Sequence, residues 1–426
     1  AYNGSEKFGP GYRFDFFPSF AVGWYVTNEK FWKIKWIDRL KLRYSKGWVG
    51  DDNGGGRWMY TSQMSYGTSA RLNNASNGSS PYTMYQETSV GNPDVHWEKA
   101  VKDNYGFEIG FFKSQLGLSV DYFTEKRTDI LINGSSRSVP VFFGTTPPSA
   151  NLGRVNSKGV EVELSFNKQI NKDWDIWSKL AIAHNQNEVI FRDDPPLQFD
   201  HLKSAGFRIG QARSLISTGF YNNWDDVYAS VPTETNDLSK LPGYYNLLDY
   251  TADGIIKSSE DNVPIGYSEV PLNTATLTLG INYKGFSIMC QFYGVNNATR
   301  VISFNNFRND TDIVFGHVRD YWSKENPNAT SFLPRWKTSG ENIGDYYVYD
   351  ASFLRFKTLE LGYSFNKHKW VKKMGVENMR VFLNGNNLFF WSDLPDDRET
   401  TYSGGSATDG AYPTLKRFNL GVDITF

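Results

Sequence analysis

Residues 416–426, KRFNLGVDITF, constrain this chain more than any other stretch. Phe418, Leu420, Val422, Ile424 and Phe426 share one parity; Arg417, Asn419, Gly421, Asp423 and Thr425 share the other. Side chains alternate faces along a β-strand, so one face here is apolar and the other polar or small. A strand of a water-soluble sandwich alternates in the same way. A chain full of such strands that ends on one of them, on an aromatic, points instead to an outer-membrane barrel, with the apolar face toward lipid and the polar face toward the lumen. On this reading the five apolar residues form a membrane-assembly signal.

Composition agrees with strands rather than helices as the spanning elements. Hydrophobic residues make up 39% of the 426 and no run approaches the roughly 18 apolar residues of a spanning helix, yet aromatics reach 16%. Barrels need aromatic girdles at both interfaces while staying polar on average. An aromatic-rich carbohydrate-binding protein would share this composition. A formal charge of -1 without a basic stripe argues against nucleic acid as a partner. The lone Cys290 allows no internal disulfide framework and no CxxC metal site; it lies on an apolar parity and is expected to pack as a small hydrophobe. The opening AYNGSEKFGPGYRF has no initiator Met, basic n-region or apolar signal core, which suggests a mature or internal piece.

Along the chain, residues 13–26 alternate with Phe14, Phe16, Phe20, Val22, Trp24 and Val26 on one face, with Pro18 marking an edge-like or irregular position. Residues 50–95, rich in Gly, Ser and Asn, read as long loops with one or two short strands. Tight hairpins are expected around Lys113–Ser114 and Lys284–Gly285, and the turn NKQINKD joins two further strands. The other connections are long: 132–156, 192–206, 222–271, 296–350 and 391–414. Short turns alternating with long loops is the asymmetry of an outer-membrane barrel, periplasmic side against extracellular side. Roughly 12 to 14 strands are expected. The basic NKHKWVKKMGVEN reads as a solvated turn with one amphipathic helical turn near Gly375, and a slip of phase between Phe356 and Leu359 suggests a bulge.

The segments SFLRFKTLELGYSF, KWVKKMGVENMRVFLNGNNLFFWS and YPTLKRFNLGVDITF closely resemble the C-terminus of SusC/RagA-like TonB-dependent outer-membrane transporters of the Bacteroidetes. KFGPGYRFDFFPSFAVGW, GNPDVHWEKAVKDNYGFEIGFF, NLGRVNSKGVEVELSF and YWSKENPNATSFLPRW match in order, so the resemblance covers nearly the whole chain. It implies an all-β, antiparallel transmembrane barrel, a 22-stranded one plugged by an N-terminal domain, of which residues 1–426 are the C-terminal part. The plug, the TonB box and the first strands are not in this sequence. The resemblance further implies a SusD-like surface lipoprotein as partner, TonB as energy source through the absent N-terminal part, and paired complexes.

Catalytic motifs are missing: no G-x-S-x-G, H-E-x-x-H or P-loop occurs, and His96, His184, His201, His317 and His368 are scattered. Asp51–Asp52, Asp193–Asp194, Asp225–Asp226 and Asp396–Asp397 are adjacent acids in loops, not carboxylates facing each other across a scissile bond. The chain is not expected to be an enzyme. One metal-like spacing stands out in DYTADGIIKSSE. Asp249, Thr251, Asp253 and Glu260 take positions 1, 3, 5 and 12 of a calcium loop, Gly254 gives the turn at 6 and Ile255 offers a carbonyl at 7. Thr251 departs from the usual Asp or Asn, and no flanking helices are evident. The alternative is an ordinary acidic loop. Trp224, Tyr228, Tyr244, Tyr245, Trp322, Trp336, Tyr346, Tyr347 and Trp391 lie on the long loops, where aromatic faces can stack on sugars; an interfacial girdle or loop packing is the competing role.

The expected function is active import across the bacterial outer membrane, with oligosaccharides as cargo and peptides as the alternative. A passive porin or adhesin barrel, and a soluble carbohydrate-binding β-protein, are the readings from other classes.

Overall fold

Period-two alternation builds the wall of the molecule, and turn chemistry sets its register. The computed structural model describes residues 1–69, 83–235, 237–302, 319–331, 344–365, 369–373, 375–395 and 414–426. Eleven strands form one antiparallel sheet in which each pairs with its neighbours in sequence. They are β1 (Ser19–Tyr25), β2 (Ile37–Asp51), β3 (Glu98–Phe111), β4 (Leu116–Ile132), β5 (Ala150–Gln169) and β6 (Trp174–Phe191). β7 (Asn273–Tyr283), β8 (Phe286–Asn296), β9 (Phe353–Ser364), β10 (Asn378–Ser392) and β11 (Arg417–Thr425) complete it. The sheet is open, with β1 and β11 at its edges.

The tight hairpins fall where the sequence places them. Lys284 and Gly285 join β7 to β8 with positive φ at both, as a type I′ turn requires. Phe112, Lys113 and Ser114 all take left-handed φ between β3 and β4. The phase slip is a bulge: β9 loses register between Phe356 and Thr358 against β10, and β8 shifts opposite it. The basic turn holds a helix of five residues, Lys369–Lys373, followed by Gly375 at φ 74. Cys290 pairs between Leu279 and Leu359 on the apolar face.

Two expectations give way. Residues 13–26 are not one strand: Phe14–Phe16 pairs with Tyr2–Gly4, and only Ser19–Tyr25 enters the wall. Pro18 lies at the break, where the Trp48 N–H donates to its carbonyl and Phe17 turns inward. Among the described residues the wall has eleven strands where 12 to 14 are expected, and the segments Gln63–Ser69 and Thr83–Ser89 pair with each other instead of joining it.

Registers place every apolar parity on the same side. A row running Leu42, Phe107, Val120, Val162 and Ile182 crosses β2 to β6, and another running Ile281, Ile288, Leu361, Leu383 and Leu420 crosses β7 to β11. Aromatics border this belt. At the turn end Trp174 meets Tyr283 at 4.2 Å and Phe286 meets Tyr363 at 4.5 Å; at the loop end Tyr44 meets Tyr105 at 4.8 Å. Beyond Tyr44 the same parity turns polar, and Lys46 pairs with Asp103 at 3.3 Å. The buried apolar clusters lie in the segments joining the strands at the loop end: Phe8, Phe17, Val95 and Trp97 form one, and Leu215, Leu247 and Ile256 another.

Candidate functional site

The opposite parity, which faces the lumen of such a wall, carries the charges. Arg43 on β2 reaches Asp121 on β4 at 2.8 Å and Glu108 on β3 at 3.2 Å, and Lys41 adds a contact to Glu108 at 3.7 Å. Lys179 pairs with Glu163 at 2.9 Å, and Arg380 bridges Glu360 and Asp423. On this face aromatic rings also lie flat over glycines of the neighbouring strand. A Cβ at Gly280 would meet the Trp177 indole at 2.0 Å, one at Gly421 the Phe382 ring at 2.3 Å, and one at Gly159 the Phe123 ring at 2.4 Å. These pairs depend on cross-strand register and have no local sequence signal.

At the loop end, the connection from β6 to β7 folds into a small platform. Ser217–Phe220 pairs with Tyr245–Leu247, and between them runs the helix Trp224–Ala229. Asn223 caps it, its Oδ1 accepting from the Asp226 N–H at 2.9 Å. Asp225 and Asp226 add negative charge at the positive end of the helix. Four residues apart, Trp224 and Tyr228 share one face. Their rings stack 6.0 Å apart at 28°, and they are 51% and 80% exposed.

The other loop aromatics divide clearly. Trp322 is buried, with its indole N–H donating to Asn222 Oδ1 at 3.4 Å. Tyr245 packs on Phe220 and Tyr346, and Tyr347 is buried. Tyr244 follows a turn, its N–H donating to the Leu241 carbonyl. Burial pushes the phenols of Tyr346 and Tyr349 up, so both stay protonated. Trp391 shares the parity of Leu354 and stacks on Phe389, as a girdle residue does. Trp336 lies outside the described residues. Only packing, not sequence, separates Trp224 and Tyr228 from the rest.

In the acidic loop the Asp249 Oδ2 accepts from the Gly254 N–H and Asp253 Oδ1 from the Ile255 N–H. The Thr251 hydroxyl and N–H both turn to the buried Asp261. The Lys257 ammonium sits between Asp253 Oδ2, at 2.7 Å, and Glu260 Oε2, at 2.9 Å. Hydrogen bonding to Asp253 first, and then to Glu260, holds that ammonium above the usual lysine range. Asp249 Oδ1 is buried without a partner among the described residues. Among the described residues no three His, Cys, Asp or Glu side chains gather as a metal cage.

The histidines stay apart: His184 contacts Asn273 at 2.7 Å, His201 contacts the Glu260 carbonyl at 2.7 Å, and His96 stays close to Asp94. His317 and His368 lie outside the described residues. Of the paired acids, Asp52 accepts from Ser5, Asp193 from Arg137, Asp194 from the Ala205 N–H and Asp226 from the Asn222 N–H. Asp396 and Asp397 lie outside the described residues.

Residues 2–388 match the family description "TonB dependent receptor-like, beta-barrel". TonB-dependent receptor P3 of Formosa agariphila is 27% identical over 459 residues, covering 100% of this chain and 43% of that protein. TonB-dependent receptor SusC of Bacteroides thetaiotaomicron is 25% identical over 437 residues, covering 100% of this chain and 41% of the other. In a structure of the RagAB peptide transporter, a chain 19% identical superposes with a TM-score of 0.75, covering 99% of this chain and 45% of that one. The chain therefore spans less than half the length of the curated relatives it matches.

Proposed function

Because the chain belongs to the TonB dependent receptor-like β-barrel family of the outer membrane, a family of transporters rather than enzymes, we propose that the whole protein actively imports oligosaccharides. This chain supplies residues 1–426 of it as the C-terminal part of a 22-stranded barrel. The eleven strands are half that number, and the chain's share of its relatives' length fits the same division. TonB would act through the plug and the N-terminal strands that precede this part.

The observation that carries the cargo class is the Trp224–Tyr228 pair. Two stacked, exposed rings beside Asn222, Asn223 and Asp225 offer flat faces for sugar rings and acceptors for hydroxyls. A SusD-like lipoprotein is the partner this rim suits. Val141, Phe142 and Leu197 are apolar residues of the connecting segments at the loop end, and all are more than nine-tenths exposed. We read these tips as part of the surface that this partner covers. Paired complexes are part of the same proposal.

The acidic loop is read as closed by Lys257 rather than by calcium. The ammonium already bonds Asp253 and Glu260, two of the three carboxylates a divalent ion would use, and Thr251 faces away from them toward Asp261.

Uptake of labelled neutral and acidic oligosaccharides, and of peptides of similar size, into cells carrying the intact protein tests the reading. Expected is oligosaccharide uptake that stops when TonB is deleted and binding that falls about tenfold in Trp224→Ala with Tyr228→Ala. Uptake of peptides alone would replace the cargo, and uptake indifferent to TonB would replace active import by a passive pore.

A further inference from the structure

At the loop end of β4, β5 and β6, roofed by residues 192–213, lies a cavity of about 770 Å³. Drug-sized and sugar-sized ligands occupy cavities of this order. Arg127, Arg154, Arg192, Arg208 and Arg213 line it, and Glu125 is the one carboxylate among the lining residues. That carboxylate is already engaged, by Arg127 at 3.3 Å and by Lys102 at 3.2 Å.

The remaining four guanidinium groups have no ion pair among the described residues and are held by other means. Arg213 donates to the carbonyls of Lys203, at 2.6 Å, and His201, at 3.2 Å, and lies over the Phe207 ring. Arg208 lies over Tyr267 at 5.0 Å, and its buried Nη1 has no acceptor among the described residues. Arg154 lies over Phe191 at 5.4 Å, and Arg192 donates to Ser204 Oγ at 3.1 Å. Burial lowers the pKa of Arg213; Asp194 opposes this and the like charge of Arg192 adds to it. Four guanidiniums without an ion pair among the described residues, oriented by rings and carbonyls and opposed only at longer range by Asp194, form with Arg127 a prearranged acceptor for oxyanions. A buried guanidinium N–H without an acceptor is costly to the protein alone and is satisfied when an oxyanion arrives.

We propose that this cavity binds the sulfate or carboxylate groups of an acidic oligosaccharide. The proposal rests on the oligosaccharide reading above and narrows it. Asn133, Ser136 and Ser157 between the arginines suit a ligand that carries hydroxyls as well as anionic groups, which favours an acidic sugar over an acidic peptide.

Calorimetric titration of the intact protein in detergent tests it, with a sulfated carrageenan tetrasaccharide, trigalacturonate, maltotetraose and tetraglutamate as probes. Arg154→Gln with Arg192→Gln removes two rim charges, and Arg154→Lys with Arg192→Lys keeps them, so a loss of fold is told apart from a loss of charge. Expected is binding of at least one acidic sugar about tenfold tighter than maltotetraose and weakening with salt. The glutamine pair should lose about tenfold of that binding and leave maltotetraose unchanged, and the lysine pair should recover most of it. Equal binding of neutral and acidic sugars, or acidic binding indifferent to the glutamine pair, would sink the cavity proposal and leave the oligosaccharide reading standing. Binding of tetraglutamate with none of any sugar would overturn both.

Discussion

The two faces of the wall share one backbone and differ in what specifies them. On the lipid parity the row Ile281, Ile288, Leu361, Leu383, Leu420 needs only to be large and apolar. On the lumen parity each position answers to a particular neighbour: Arg43 to Glu108 and Asp121, Gly280 to Trp177, Arg380 to Glu360 and Asp423. One face is set by an average property, the other by pairs. A single charge should therefore break the first, while the second should break through size or through a lost partner.

The largest effect is expected where a charge meets lipid. Leu361→Arg, on the belt one step inside the turn-end ring of Tyr363, should cost about 2–3 kcal/mol, below the full value for arginine at the midplane of a barrel. Asn282→Arg, on the lumen parity at a similar depth and beside Asp175, should stay within about 1 kcal/mol; Asn282 already bonds that carboxylate at 3.1 Å. Denaturant unfolding of the intact protein in lipid vesicles measures both. Equal losses would mean that the two faces are not distinguished by lipid at all.

Size should decide next. Gly280→Leu puts a side chain where the Trp177 indole lies, 2.0 Å from the ideal Cβ, and should cost about 1–3 kcal/mol as an overpacked contact. Gly23→Ala, also on the lumen parity, meets nothing closer than 3.8 Å and should be nearly neutral. Unfolding midpoints and the tryptophan emission of the Gly280 variant report the two.

The same contrast explains how much was legible in the sequence. Alternation at 416–426 exposes the lipid face directly, and the turns at Lys113–Ser114 and Lys284–Gly285 announce themselves through residues suited to tight hairpins. The bulge after Phe356 shows as a slip of phase within one strand. What needs a second strand is hidden. Gly280 under Trp177 requires the register of β6 with β7, and the arginine cavity gathers residues from 127 to 213. Trp224 and Trp322 look alike in a string of loop residues; only packing makes one exposed and the other buried. Residues 63–69 and 83–89 alternate well enough to be strands, but nothing local says that they pair with each other and leave the wall.

Losing a partner should have a smaller effect than crowding. Arg43→Met leaves Glu108 and Asp121 without their shared cation, but all three side chains keep between 20% and 35% of their exposure. Water screens what remains, so a loss of about 1 kcal/mol at low salt is expected, shrinking as salt is added. A loss that salt does not touch would show that the arginine stem, not its charge, holds the three strands.

The smallest effect should be local, in the acidic loop, where a pair rather than an average again decides. The bond from Lys257 holds Asp253 below the usual carboxylate range, with the Ile255 N–H assisting. A depressed folded pKa contributes stability that is complete above the unfolded value and fades as pH falls through the lowered one. Hydrogen exchange at 249–261, taken relative to the free-peptide rate at each pH, should therefore be steady at neutral pH and rise below about pH 4. Chelator should leave it unchanged, and Lys257→Ala should raise it with no change in global unfolding. Lys257→Asp removes the tethered cation and adds a carboxylate at position 9 of the loop, so calcium should then slow exchange where it did not before. Chelator sensitivity in the unaltered protein would return the loop to calcium. Indifference of both variants to calcium would leave the turn to the bonds its own N–H groups donate to carboxylates, Gly254 to Asp249 and Ile255 to Asp253.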